Sequence, residues 1–449
     1  MINREDLKTV ILICLVFLSM FFTSKIWFRL PFSWKNAGMP AHTADINTKV
    51  DILNIVSPSK IVVHFKGNQK TVVYPTRDFY GDLWKEGQLA LRTFIENIKT
   101  SDPERFKDSS DTYVYDQPRI DYVFHLQLGI DFWQEALSQE TYKGASKPVI
   151  KGVTLLAEKD SAIITDNKGK HYSIPMEGLN RRLEGLLNDL KKSNPPEYTR
   201  FSYSKTSIPI NQDIYVPVNP MAIKGAVTNS EVIEPDKLAR RFFSDMSVVR
   251  KIEEKDGATI YTDGISGLRI YPDGAVEYNH TITGKDTSEN SIFRSLSTAV
   301  RFITQHGGWP METYLDKINT VSIQDKRGYT FVFSSRLRGM PIVTDENVIE
   351  VSVSQGKVKN YFRSVVYPAT ANVLEEKMIS AQEALEQVLI NFNYLIGLEN
   401  EQDKKIEDIF MAYYKTKEDQ TLKPVWIVKI SNFIVYVDAV TGEVTTGRN

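Results

Sequence analysis

The stretch from Leu7 to Leu30 constrains everything after it. Its centre, Val10-Ile11-Leu12-Ile13-Cys14-Leu15-Val16-Phe17-Leu18-Ser19-Met20-Phe21-Phe22, carries no charge, no Gly and no Pro. Thr9 to Ser24 is uncharged, and with Lys8 and Lys25 snorkelling and Trp27 and Phe28 at the interface, a helix here covers the roughly 20 residues that a bilayer requires. The stretch therefore reads as a single membrane-spanning helix. A cleaved secretory signal would need small residues just past its apolar core, where this chain has Met20-Phe21-Phe22 and Ile26-Trp27-Phe28. A buried core helix would show a polar stripe, and Val10 to Leu18 has none. A lipoprotein anchor would place its Cys at the end of the apolar run, whereas Cys14 stands in the middle.

Orientation is not fixed by charge. Arg4 and Lys8 precede the span together with Glu5 and Asp6, and Lys25, Arg29 and Lys35 follow it. Counting Lys and Arg alone would place the C-terminal part inside, a rule that admits exceptions when a long domain follows. Cys14 is the only cysteine, so no disulfide reports the redox compartment.

At ~150 residues per domain, the 449-residue chain, 42% hydrophobic, has material for two or three soluble domains after the span. Lys plus Arg number 55 against 56 Asp plus Glu, which leaves no net field to attract nucleic acid. Residues 1–6 form a short N-terminal tail, 7–30 the span and 31–48 a tether containing Pro31, Gly38 and Pro40. A first domain is expected over 49–205, a central one over 206–370 and a last one over 371–449.

In the first domain, Ile61 to Phe65 and Thr71 to Tyr74 flank a Gly67-Asn68 turn, and Trp84, Leu91, Phe94, Ile95 and Ile98 share one helical face. Ile120 to Leu128 alternates as a half-buried strand, Asn167-Lys168-Gly169 closes a hairpin, and Leu179 to Leu190 forms a helix ending before Pro195-Pro196. Beyond it, Glu234-Pro235-Asp236 opens a helix, and Asp256-Gly257, Asp263-Gly264 and Asp273-Gly274 mark tight turns between short strands. A weak repeat follows, each copy a helix and then antiparallel strands. Phe293, Leu296, Val300 and Ile303 stripe the first helix, and its strands are expected from Thr320 onward. Ser380-Ala381-Gln382-Glu383 is a capping box for the second. This alternation predicts an α+β fold, a multidomain soluble part of antiparallel sheets with helices on one face.

No catalytic, cofactor or metal site is legible. The six His, at 42, 64, 125, 171, 280 and 306, never pair with one another or with a carboxylate at metal-ligand spacing. His64, His125 and His171 lie in predicted strands and read as polar residues on a sheet face. His306 suits the C-terminal end of a helix. Ser-x-x-Lys occurs at Ser57, Ser202 and Ser354, but the Lys-Thr-Gly partner strand of penicillin-binding enzymes is absent, and Pro58 and Gly356 suit turns. In the span, Ser19 and Thr23 lie four apart and let another helix approach, with Leu12, Leu15 and Val16 extending that face. This is the candidate partner-helix surface; a plain lipid-facing anchor is the alternative.

Asn3-Arg4-Glu5, leading through Leu7-Lys8-Thr9 into the span closed by Trp27, resembles the start of the YycH (WalH) family. The resemblance extends over the whole chain in length, single span, cysteine-free soluble part and helix-plus-strand C-terminal half. Trp426 through Gly442-Glu443-Val444 also looks like the PepSY-type module that the related YycI resembles. The resemblance implies a non-enzymatic membrane protein with a cytoplasmic N-terminus and an extracytoplasmic remainder. It also implies partnership with YycI and with the sensor histidine kinase WalK (YycG), which controls cell-wall homeostasis. The competing reading is an anchored envelope enzyme or polysaccharide-binding protein, whose mark would be an aromatic-lined cleft with paired carboxylates.

Overall fold

The computed structural model describes residues 50–100, 117–138, 147–230, 234–281, 291–323, 326–344, 348–369, 375–391, 404–415 and 421–446. The chain divides into compact units Met1–His42 and Thr43–Asn449, and every described residue belongs to the second. The described residues form seven helices: α1 (Ile52–Ile55), α2 (Tyr80–Thr100), α3 (Ile130–Ser138), α4 (Leu179–Lys192), α5 (Pro235–Phe242), α6 (Ile292–His306) and α7 (Ala381–Ile390). None of them is long and apolar enough to cross a membrane. The predicted span, with Leu12, Leu15, Val16, Ser19 and Thr23, lies outside the described residues.

An antiparallel six-stranded sheet comes first, in the order Lys70–Val73, Lys60–His64, Arg119–Gly129, Val149–Leu156, Ser161–Asp166, His171–Pro175. Directly opposed residues in such a sheet share a face. Ile61, Tyr122, Val153, Ile164 and Tyr172 therefore form one continuous buried row across five strands. The apolar face of α2 closes over it, with Leu83, Trp84, Leu91 and Phe94 each at most 2% exposed. Burying side chains of this size contributes ~1.5–3 kcal/mol apiece. The Tyr122 hydroxyl, carried into this core, donates to the Leu83 carbonyl at 2.6 Å. Trp133 on α3 completes the core, its ring centroid 6.3 Å from Trp84 and 5.6 Å from Phe124.

Two short two-stranded sheets, Tyr198–Arg200 with Tyr215–Pro217 and Ala222–Lys224 with Glu375–Lys377, stand apart, and the other strands join a fifteen-stranded sheet. Its first run is the antiparallel series Arg250–Glu253, Thr259–Thr262, Ser266–Ile270 and Val276–His280, continued by Lys357–Ser364, Val348–Ser354 and Lys326–Leu337. Each of the three Asp-Gly turns is closed by its own Asp: Asp256, Asp263 and Asp273 accept from the backbone N–H two residues on, at 2.9–3.0 Å. Gly then takes φ near +87° to +89°, the left-handed region open to it at no steric cost. One register row, Leu268, Tyr278, Tyr361, Val351 and Phe331, is buried and shares a core with Leu296, Ala299 and Ile303 of α6. The opposite face of these strands is mixed: Ile260, Phe362 and Val332 stand there among Arg269, Glu277, Asn279, Asn360 and Glu350.

The sheet continues through Met340–Val343, which pairs in parallel with Ile406–Tyr414, and then through Thr421–Ile430 and Ala226–Ser230. Here α7 lies over Trp426, Val428 and Val435. Its capping box is formed: Glu383 N–H donates to Ser380 Oγ at 3.2 Å, and Ser380 N–H to Glu383 Oε2 at 2.6 Å. The fold is α+β with antiparallel sheets, as the periodicities predict. Three elements differ from expectation. The helix opened by Glu234-Pro235-Asp236, whose Leu238, Phe242, Met246 and Val249 read as one face, ends at Phe242, and a separate short turn holds Met246 to Val248. The strand expected from Thr320 begins at Thr313, because a bulge between Leu315 and Lys317 breaks the alternation. The helix α3 follows its strand after Gly129 without a Ser, Thr or Asn cap to announce it.

Candidate functional site

The three Ser-x-x-Lys serines are not brought to helix starts. Ser57 is a buried loop residue whose Lys60 reaches Asp408 at 3.5 Å. Ser202 lies in a loop, and its Lys205 pairs with Glu386 at 3.2 Å. Ser354 ends a strand, fully buried, before a turn with Gln355 at φ +51° and Gly356 at φ +67°. His306 ends α6 as its position predicts, Nδ1 lying 2.8 Å from the Phe302 carbonyl. His42 is outside the described residues.

His64 is more than a polar residue on a sheet face. Its ring is buried, with Nε2 2.9 Å from Asp121 Oδ2, although neither ring nitrogen is aligned for a hydrogen bond. Arg119 Nε donates to the same oxygen at 3.0 Å, and Thr154 Oγ1 to Oδ1 at 2.8 Å. Tyr215, from the segment joining the two sheets, stands edge-on to His64 at 5.7 Å. Burial pushes the His64 pKa down against the pull of Asp121. Burial alone would raise Asp121, but His64, the Arg119 charge and Thr154 outweigh it and hold the carboxyl below its ordinary value. Both Asp121 oxygens are engaged within this cluster, which makes it a clamp beneath Tyr215. No spacing rule finds it, because its partners come from three strands.

Further contacts tie the first sheet and α3 to later parts of the chain. Thr71 Oγ1 donates to the Pro196 carbonyl at 2.8 Å, His125 Nε2 lies 2.7 Å from the Leu315 carbonyl, and Ser291 Oγ donates to Glu135 at 2.9 Å. Gly339, at φ +81°, lies so close to Tyr74 and Pro75 that a Cβ there would stand 2.3 Å from the Pro75 carbonyl oxygen.

One hollow opens at the end of the strands Thr259–Thr262, Ser266–Ile270 and Val276–His280, with a volume of about 320 Å³. Thr262, the 264–267 segment, Asn279, His280, Thr281, Lys359 and Asn360 line it. Ser266 Oγ and His280 Nδ1 are 2.9 Å apart as cross-strand neighbours. The nearby Asp263 carboxylate does not complete a catalytic relay: it accepts the backbone N–H groups of Ile265 and Ser266 at 2.9 and 2.6 Å. Those bonds hold its pKa below the ordinary carboxylate value. The lining contains no Asp or Glu, so the paired carboxylates of a glycan-cleaving site are not found in it.

Two family descriptions match the chain: "YycH protein, N-terminal domain" over residues 5–194 and "YycH protein, C-terminal domain" over 211–443. The chain belongs to the YycH family. The junction between the two matched domains is the region of Pro196, Tyr215 and the His64 clamp. A Bacillus subtilis (strain 168) relative, "Two-component system WalR/WalK regulatory protein YycH", is 22% identical, and the alignment covers 96% of each chain. The crystal structure of YycH from Bacillus subtilis superposes with a TM-score of 0.58 at 17% identity, covering 88% of this chain and 99% of that one. At that identity the superposition establishes the fold.

Proposed function

We propose that this chain is a membrane-anchored accessory protein that adjusts the activity of a WalR/WalK-type two-component system. It acts from outside the cytoplasm, with its N-terminus inside, on the sensor kinase WalK and together with YycI, and so influences cell-wall homeostasis. The observation that carries the reading is the near-complete match to a relative named as a WalR/WalK regulatory protein. The uncharged stretch Thr9 to Ser24 supports the anchor. Its Ser19 and Thr23 supply the small, weakly polar face that helix association in lipid requires, where pairing depends on close packing and on modest contacts of ~0.6–2 kcal/mol. The ties between the two sheets suit a soluble part that transmits position as one body to the span.

The test is deletion of the gene with a transcriptional reporter under WalR control. Reporter output should change on deletion and return when the full-length chain is supplied, but not when residues 31–449 are supplied with a cleavable secretion signal. Unchanged output after deletion would overturn the reading.

A further inference from the structure

The face of the second sheet away from α6 has an order that the regulatory reading does not use. Thr262, Gly267, Asn279, Asn360, Ser352 and Thr330 are successive cross-strand partners, one per strand, in a single register row. Residues offset by one position, such as Leu268, Tyr278 and Tyr361, face α6, so the row lies on the side the helix does not cover. Asn279 and Asn360 are exposed, and Thr330 Oγ1 and Ser352 Oγ are 2.8 Å apart. The row itself consists of amides and hydroxyls at the ~4.8 Å spacing of strands, Asn279 Nδ2 donating to Glu277 Oε1 at 3.2 Å, with Arg269 and Glu350 in the next row on this face.

The hollow lies at one end of this row and exists because Gly267 has no side chain. A Cβ at Gly267 would meet nothing within 4 Å, and its φ is not in the left-handed region. Around it stand Lys359 and His280, with Ile265, 54% exposed, on the rim. Lys359 forms no ion pair with the described residues. A lining of amides, hydroxyls and a cation, without a carboxylate, suits a ligand rich in hydroxyls and bearing negative charge.

We propose that this hollow and the row leading from it bind a carboxylate-bearing oligosaccharide, its carboxylate toward Lys359 and its hydroxyls on Asn279, Asn360 and the residues beyond. Addition of a peptide strand is disfavoured, because Ser266–Ile270 and Val276–His280 already pair on both sides and offer no free backbone edge. Docking of a folded protein would call for the aromatic and Met-rich centre that protein interfaces carry, and this row has none. The proposal does not depend on the regulatory reading: loss of sugar binding would leave the reporter experiment as it stands.

Calorimetric titration of the purified full-length protein tests it with three probes: a hyaluronan tetrasaccharide, neutral chitotetraose, and a heptapeptide of aspartate. The acidic sugar should bind, and chitotetraose should bind ~10-fold more weakly, the difference expected from one charge-assisted contact. Gly267→Val should abolish binding of both sugars with an unchanged thermal midpoint, since a β-branched residue suits a strand. Lys359→Gln should bring the two sugars to equal affinity. If Gly267→Val fails to fold, Asn279→Ala with Asn360→Ala at exposed positions should weaken both sugars at least ~10-fold. Absence of sugar binding, binding unaffected by these substitutions, or equal binding of the aspartate peptide would overturn the proposal.

Discussion

His64 stands opposite Arg119 in the β ladder, yet its ring reaches the carboxylate of Asp121, with Nε2 and Oδ2 2.9 Å apart. Asp121 is thereby surrounded by His64, Arg119 and Thr154 and remains ionised although it is half-buried. Removing that carboxylate breaks the buried Arg119–Asp121 ion pair, which costs ~3–5 kcal/mol. Asp121→Ala should therefore lower the denaturation midpoint more than Thr154→Val, which removes a single hydrogen bond worth ~1 kcal/mol. Chemical denaturation of the two variants side by side measures the order.

The same clamp gives a pH dependence. His64 titrates below its ordinary 6.5 in the folded chain because burial disfavours the imidazolium. Above pH 6.5 both folded and unfolded chains hold it neutral, and its contribution to stability is fully present. As pH falls below 6.5, the unfolded chain takes up a proton that the folded chain refuses, so stability falls until the lower folded value is passed. His306 shifts the same way by burial. His64→Gln should therefore reduce, without abolishing, the fall in thermal midpoint between pH 7 and about 5.

Two helical glycines should respond oppositely to alanine. A Cβ at Gly87 of α2 would stand 2.8 Å from Tyr122 Cε1 and 3.0 Å from Trp84, whereas one at Gly185 of α4 meets nothing within 4 Å. Helix propensity favours Ala by ~1 kcal/mol at both. At Gly87 overpacking of ~1–3 kcal/mol opposes that gain, and at Gly185 nothing does. Urea denaturation should find Gly185→Ala stabilised by ~0.5–1 kcal/mol and Gly87→Ala destabilised.

Gly339 tests the tie between the two matched domains. Its φ of +81° and the 2.3 Å approach of a Cβ to the Pro75 carbonyl leave no room for a side chain. Gly339→Ala should cost ~2 kcal/mol or more and part the strand from Tyr74 and Pro75. Limited proteolysis should then cut the 195–211 segment faster than in the unaltered chain.

The turns were legible because Asp, Asn and Gly determine local backbone geometry: Gly67-Asn68, Asn167 to Gly169 and the three Asp-Gly pairs all sit between paired strands. The Ser380 cap and the stripes of α2, α4, α6 and α7 were legible for the same local reason. What escaped is non-local. The parallel pairing of Met340–Val343 with Ile406–Tyr414 is chosen by packing, and the His64 clamp by strand order. The hollow arises from a missing side chain at Gly267, whose register against Asn279 becomes visible only once the strands pair.

The central claim is that the chain regulates a sensor kinase through its membrane span, and co-purification of WalK from membranes tests it most directly. Full-length chain should retain the kinase, and Ser19→Leu with Thr23→Leu should reduce retention while leaving insertion and folding intact. Leu substitutions on the opposite face, at Ile11 and Phe22, should have no effect. If the Ser19/Thr23 variant retains the kinase as fully as the unaltered chain, the assignment of that face is wrong. If replacing the whole span by an unrelated one also leaves retention unchanged, regulation through the span is contradicted.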